Sequence, residues 1–548
     1  MIKSKILLKT CVLSAMVYTV PALAEYAGDG GVDDGSPITA NELTVKGYQF
    51  PNELKANSSH TELANHAWRL FIAANQPTTA TLNKGNGRSE PDPTKSFIYT
   101  GGAKPQTNPT VWESFYHRSE AFPFYSKTAP SNPKNSAPTY YFYRESSGNK
   151  LPNTVKGQHY VNLDENNQVS QNMLYYNDAT NPNFPVLFMA KVNDVELEYV
   201  WDKAFVLPPK SLEFPHPKIN GPQARTVSTI EVKSAWRRLS DIKDTSTHNL
   251  YHQANATYYM GDENNPKPVQ DVFALIGLHI IQKTNNYQTF IFSTFEHVNS
   301  VTTKNGVITD PNIDLSYTSL KYGADSPTVT NTYGAYSENL PGQSGKTNIR
   351  TGYTLPAAGS VPTNRFPVKR LKTISAEVND VNNAVGALIP NNSVWKNYRL
   401  KGVQAVPTSY PVNNGTVALD YYLANIVIES SQPGVQLFTG KVKNPGAANN
   451  YTFTNSRALP NKGNTNRGPN VSPAPQNGQI GAAKWTMGGC MGCHGVAQQS
   501  GQDMSFLGFG LGGNGFAAET VASEGMSDAA RDAHYKKSMS TKAKNADH

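Results

Sequence analysis

Cysteine is scarce: the 548 residues hold three, Cys11, Cys490 and Cys493. Cys11 sits in the apolar start of the chain, so the remainder keeps one closely spaced pair, too little for a structural disulfide framework. Long apolar runs are also missing. Beyond residue 24 no stretch reaches the roughly 18 to 20 consecutive apolar residues of a membrane-spanning helix. Charged residues make up only 16% of the chain, and the formal charge of +8 falls to +5 without Lys3, Lys5 and Lys9. The basic residues are scattered, apart from Lys536, Lys537, Lys542 and Lys544, which argues against a nucleic-acid-binding surface. No Walker loop, HExxH, Rossmann glycine pattern or Ser-His-Asp set is present, so nothing anchors a kinase, zinc-hydrolase, dinucleotide or serine-hydrolase reading.

Lys3, Lys5 and Lys9, the apolar stretch from Val12 to Val20 and the small residues Ala22-Leu23-Ala24 form the pattern of a secretory signal peptide over residues 1–24. A periplasmic or secreted protein is therefore expected, with no transmembrane segment after cleavage. The remaining 524 residues suffice for a sizeable core, at roughly 150 residues per domain. A negative mean hydropathy of −0.50 and abundant Gly, Pro, Tyr, Asn and Thr suit a loop-rich, strand-rich exported protein.

Residues from about Ser59 to Ala74 carry apolar side chains at helical spacing, with Thr61 and Glu62 at the start and Gln76-Pro77 at the end. Val111 to Ala121 and Ala376 to Leu388 predict two further helices. Between them the period changes. Thr139–Tyr143, Val186–Ala190, Glu196–Val200, Thr226–Val232, Phe273–Ile281 and Tyr287–Phe295 are aromatic and β-branched runs bounded by Asn, Gly and Pro, which predict strands. The last two are close enough for a hairpin through Gln282–Asn286. A further strand is expected over Val394–Val403. The expected fold is mainly β with some helices (α+β): a large antiparallel body over 25–435, a Gly/Pro/Asn-rich linker or excursion over 436–480, and a small C-terminal segment over 481–548.

That last segment contains Cys490-Met491-Gly492-Cys493-His494. In an exported chain, CxxCH is the attachment pattern of c-type haem. Two thiols one helical turn apart reach neighbouring vinyl groups, and the residue after the second lies beneath the iron. One motif implies one covalent haem c, with Cys490 and Cys493 as attachment residues and His494 as proximal ligand. A redox dithiol would suit a thioredoxin-like βαβ context, which the Gly-flanked site lacks. A zinc site would need two more ligands at suitable spacing, and His534 and His548, 14 residues apart, do not supply them. Trp485, five residues before Cys490, is a candidate haem-edge contact. Trp68, Trp112, Trp236 and Trp395 read as core anchors.

For the sixth iron position the candidates are Met504 and Met539 from the same segment and His279 and His297 from the body. A thioether would raise the reduction potential. His279 lies in a strand-like apolar run that equally suits a core histidine. His297 follows Glu296 and reads first as a surface residue. An open sixth position would instead permit small-ligand chemistry. Only 54 residues follow His494, beginning with a Gly-rich stretch through Gly513, so part of the haem cover is expected to come from the β body.

Several runs together resemble a family of exported bacterial proteins described as cytochrome c family proteins. They are Ala67–Asn75, Val111-Trp112-Glu113 with Ser119–Phe122, Glu231–Arg237, Gly277–Thr284, Ser293–Val298, Trp395–Arg399, Leu423-Ala424-Asn425, Cys490–His494 and Asp503–Phe506. The resemblance spans most of the chain in order and implies one haem c carried by Cys490, Cys493 and His494. This chain departs from it at Met504, where the family run carries Phe. Three functions follow as expectations: an exported monohaem electron-transfer protein with a periplasmic redox partner; a haem c oxidoreductase of peroxidase or oxygenase type with the β body as substrate domain; or a β-rich binding protein with accessory haem.

Overall fold

The computed structural model describes residues 28–98 except 84, 105, 108–122, 132–141, 154–164, 186–201, 213–217, 228–299 except 243 and 261–266, 374–405, 423, 425, 427, 428, 440–442, 451–453, 490, 491, 494, 503–505 and 507. The expected leader 1–24, most of the expected linker, and Trp485, Cys493 and Met539 lie outside the described residues.

In chain order the described elements are β1 (Val32–Asp33), α1 (Ala40–Thr44), β2 (Glu53–Leu54), α2 (His60–Ala74), α3 (Val111–Ser114), β3 (Tyr116–His117), α4 (Arg118–Ala121), β4 (Thr139–Tyr141), β5 (Thr154–Lys156), β6 (Val161–Leu163), β7 (Leu187–Val192) and α5 (Asp194–Tyr199). They continue with β8 (Thr229–Arg238), β9 (Gln253–Met260), β10 (Lys267–Lys283), β11 (Ile291–His297), α6 (Ala376–Leu388), β12 (Tyr398–Gln404), β13 (Gly440–Val442) and β14 (Tyr451–Phe453). One eight-stranded sheet dominates, with the order β12-β11-β10-β8-β7-β3 along its main path. Every pair on that path is antiparallel. The N-terminal half of β10 pairs with β9, and β6 lies parallel to β9. The body is thus mainly β with a large antiparallel sheet, as expected.

The long helix α2 begins where Ser59 and Glu62 close a capping box: Ser59 Oγ accepts from the Glu62 amide at 3.3 Å, and the Ser59 amide donates to Glu62 Oε2 at 2.7 Å. Every residue from Leu63 to Ala74 is buried, so the helix is wrapped by protein on all sides. Phe71 packs on Phe295 with ring centroids 4.4 Å apart, and Trp68 donates to Asn382 of α6 at 3.0 Å. This is the main core, on one face of the sheet. The tryptophans Trp68, Trp112, Trp236 and Trp395 are all buried in it.

Two polar residues inside α2 are fully matched. Arg69 clamps Glu42 through Nε and Nη2 at 2.9 and 3.0 Å and reaches Asp33 through Nη1 at 2.9 Å. His66 bridges Asp33 Oδ2 at 2.7 Å and Gln282 Oε1 of β10 at 2.9 Å. The N-terminal segment, the helix and the sheet are joined by this one network.

The expected single helix over Val111–Ala121 is instead two short turns flanking β3. Thr110 and His117 each begin a capping box, with Glu113 and Glu120 as their partners. Two N-terminal caps seven residues apart cannot belong to one helix, and Tyr116–His117 pairs with β7 as a sheet edge. The strand expected over Glu196–Val200 is also a correction: it is helix α5, because Asn193 caps it and Asp194 and Glu196 fill its first turn. Strand β9 was not anticipated, since Ala254 and Ala256 give little strand signal. The strand expected from Tyr287 starts only at Ile291, because Tyr287 is turned aside to donate to Lys55 O at 3.0 Å. Similarly, Val394–Asn397 is a 3-10 turn and the strand begins at Tyr398. Within the expected linker, β13 and β14 pair antiparallel.

Replacing Arg69 by Ala leaves two buried carboxylates without their cation, and breaking such a pair costs about 3–5 kcal/mol. Equilibrium denaturation of Arg69→Ala is expected to show a loss of that size, with less for Arg69→Lys.

Candidate functional site

Strand β10 alternates between two environments. Leu278 and Ile280 enter the main core, whereas Ile281 belongs to a second apolar cluster with Phe290, Phe292, Leu197, Val200 and Phe214. Met491 and Met504 are buried in the same cluster, and Cys490 and Leu507 pack against it. The described C-terminal residues are therefore seated on the face of the sheet opposite α2.

Three polar contacts fix that seat. Lys283, which follows Ile281 on the same face, donates to Asp503 Oδ2 at 2.6 Å, both side chains being buried. The Phe214 amide donates to the same oxygen at 2.9 Å. Met491 N donates to Gln404 Oε1 of β12 at 3.0 Å. Asp503 has a positive φ of 54°, a left-handed conformation that Asp tolerates better than most residues. Burying two methionine side chains is worth about 1.5–3 kcal/mol each. A buried ion pair roughly breaks even against its desolvation. Apolar burial thus holds the segment down, and the Lys283–Asp503 pair sets where it lies.

Cys490, Met491 and His494 stand in helical conformation. The His494 ring is fixed on two sides. Its Nδ1 lies 2.5 Å from the Met504 carbonyl oxygen, and the edge of Phe292 meets it with centroids 4.7 Å apart at 62°. A carbonyl only accepts, so Nδ1 carries a proton, and in the neutral ring Nε2 then keeps the lone pair. A backbone acceptor on one imidazole nitrogen is the arrangement that orients a metal-ligating histidine and raises its basicity. The half-buried Cys490 lies one turn before His494, and the residues in place fit a group tethered at 490 and ligated at 494.

The other candidates separate. Met504 presents its carbonyl to Nδ1, on the side of the ring away from Nε2, and its side chain is embedded in the second cluster. His279 is on the same sheet face, two residues from Ile281, and pairs with Thr294 and Lys233. Two residues before it, Gly277 is covered by Asn425 and Val427. That cover lies so close over Gly277 that a Cβ there would sit 2.6 Å from Val427 Cγ2. His297 is elsewhere: it is buried on the main-core face, stacked on Tyr251 at 3.9 Å. Its Nε2 donates to Leu250 O at 3.0 Å and its Nδ1 accepts from Asn299 N at 3.0 Å. The surface reading of His297 is corrected. The alternation of β11 sends it opposite Phe292.

Sequence reasoning missed Lys283, Asp503, Glu196 and Glu231 as parts of this site. For Glu231 and Lys283 the signal available was charge within strand-like apolar runs; Glu196 and Asp503 carried no such signal. A cavity of about 300 Å³ lined by Glu113, Tyr160 and Gln253, among others, shares no lining residue with the second cluster. Among the described residues no group of three or more His, Cys, Asp or Glu side chains could hold a metal ion, and no helix is long and apolar enough to cross a membrane. Compared with protein-family models, curated proteins and solved structures, the chain matches none.

Two outcomes follow from this geometry. Lys283→Ala strands Asp503 as a buried charge, at a cost of about 3–5 kcal/mol, and is expected to expose the C-terminal segment to limited proteolysis well before the body is cut. Burial pushes His297 down to about 3, below its ordinary 6.5. The unfolded chain therefore binds the proton first, and stability is lost as pH falls from about 6.5 towards 3. Acid denaturation of His297→Gln is expected to be less steep over that range.

Proposed function

We propose that the chain is an exported c-type cytochrome that carries one haem, bound through thioethers to Cys490 and Cys493 and ligated by Nε2 of His494, and that it transfers single electrons to and from a periplasmic redox partner. The observation that carries this reading is the 2.5 Å contact between His494 Nδ1 and the Met504 carbonyl, one helical turn after Cys490. When bound, the haem supplies one-electron exchange between ferric and ferrous iron. The chain's own residues do the positioning. Met504 O holds the Nδ1 proton and keeps Nε2 basic, Phe292 limits rotation of the ring, and Lys283 with Asp503 anchors the turn that carries the carbonyl.

His279 is the body side chain proposed for the sixth position, since among the described candidates it shares the face on which His494 is seated. The apolar second cluster would supply a water-poor flank to the group held by His494. The cavity lined by Glu113 and Tyr160 shares none of these residues.

The test is expression with a leader and the machinery for haem ligation. The purified protein is expected to be coloured, to carry the mass of one covalent haem, and to give a low-spin spectrum unaffected by cyanide. His279→Ala is expected to convert it to a high-spin form. The double variant Cys490→Ala, Cys493→Ala is expected to be colourless yet folded. Colourless wild-type protein overturns the haem reading, and a high-spin wild-type iron that binds peroxide overturns simple electron transfer in favour of an oxidoreductase.

A further inference from the structure

The second cluster holds more acid than its visible cations answer. Glu196 of α5 and Glu231 of β8 face one another beside the C-terminal segment, with their side chains buried. Among the described residues, no N–H or hydroxyl donor reaches either oxygen of Glu196 or Oε1 of Glu231. The Ser505 hydroxyl hydrogen-bonds Glu231. Two ionised carboxylates cannot stay in contact in such a setting, so one keeps a proton and donates it to the other.

The neighbours leave the pair in that state. Lys283 of β10 is committed to Asp503 at 2.6 Å, and Asp503 adds negative charge nearby. Lys233, the next residue on the same face of β8, lies 5.0 Å from the Phe188 ring centroid. The Tyr199 hydroxyl of α5 accepts from Glu213 N at 3.0 Å. Val192 and Ile281, the strand partners of Glu231, are apolar. Burial first, and then the neighbouring negative charge, raise both acids, Glu231 to about 7 and Glu196 well above its ordinary range. Both acids are thus held toward the protonated form.

The pair connects to His494 through the described C-terminal residues. Glu231 is bonded to Ser505, and the preceding residue, Met504, offers the carbonyl that holds His494. We propose that Glu196 and Glu231 form a redox-linked proton site, which binds one proton from solvent when a one-electron reductant delivers an electron to the iron, and releases it when that electron leaves. This rests on the haem reading above and adds to it a coupling of electron and proton. Reduction would lower the positive charge of the centre held by His494 by one and so favour the protonated acid. By linkage, protonation favours the reduced iron equally. The potential should therefore fall as pH rises through the titration of the pair. A full one-to-one coupling makes each tenfold drop in proton activity worth about 59 mV.

The experiment is a spectroelectrochemical titration of the full-length holoprotein between about pH 5 and 9, where linkage shows as slope, with redox-difference infrared spectra of the same samples. Wild type is expected to show a potential that falls with pH around neutrality and a protonated-carboxyl C=O band that grows on reduction. Glu231→Gln and Glu196→Gln are expected to flatten the slope and remove the band while leaving the haem attached. A flat wild-type potential, no carboxyl band in the wild-type spectra, or a slope that survives in both variants, as haem propionates would give, overturns the proton site while leaving the cytochrome reading intact. If either variant fails to fold, the wild-type infrared spectra decide alone. Protein isolated without haem overturns both.

Discussion

The site depends on how Met491 and Met504, with Cys490 and Leu507 beside them, are pressed against the back of the sheet. Met491 and Met504 supply most of the attraction by leaving water, and the Lys283–Asp503 pair, close to neutral in net energy, excludes other placements. If the segment shifted along the face, Asp503 would lose Lys283 and Phe214 N together, and the Met504 carbonyl would leave the imidazole. A buried charge pair is therefore used here for position more than for strength.

Strand β10 makes this possible by serving two interiors at once. Its even-numbered residues Leu278 and Ile280 complete the core under α2, and Gln282 joins the His66 network, while Ile281 and Lys283 look the other way. Neither face of the strand is left to solvent near its C-terminal end. Parity along a strand then decides chemistry. His279 and Phe292 belong to the segment's face, and His297 belongs to the aromatic core.

Much of this was legible in the residues. The period of α2 and α6, and the strand character of β7, β8, β10 and β11, come from side-chain spacing that local physics reads directly. What was not legible is equally specific. Glu196–Val200 has strand-forming composition, but a single Asn at 193 outweighs it by capping a helix. Val111–Ala121 keeps a helical spacing that two successive capping boxes interrupt. At the site, the CxxCH run announces itself, yet its surroundings do not, because Lys283, Asp503, Glu196 and Glu231 lie far apart in sequence and meet only once the sheet is built. A charged residue in an apolar strand pattern marks a position without naming its partner.

The oxygen that steadies His494 belongs to the main chain of residue 504, and this bears on how the position can vary. Every amino acid offers that carbonyl, so the side chain there answers to the apolar cluster that also holds Ile281, Phe292 and Phe214. Another apolar side chain of similar volume at 504 would then refill the same space without touching the imidazole's anchor.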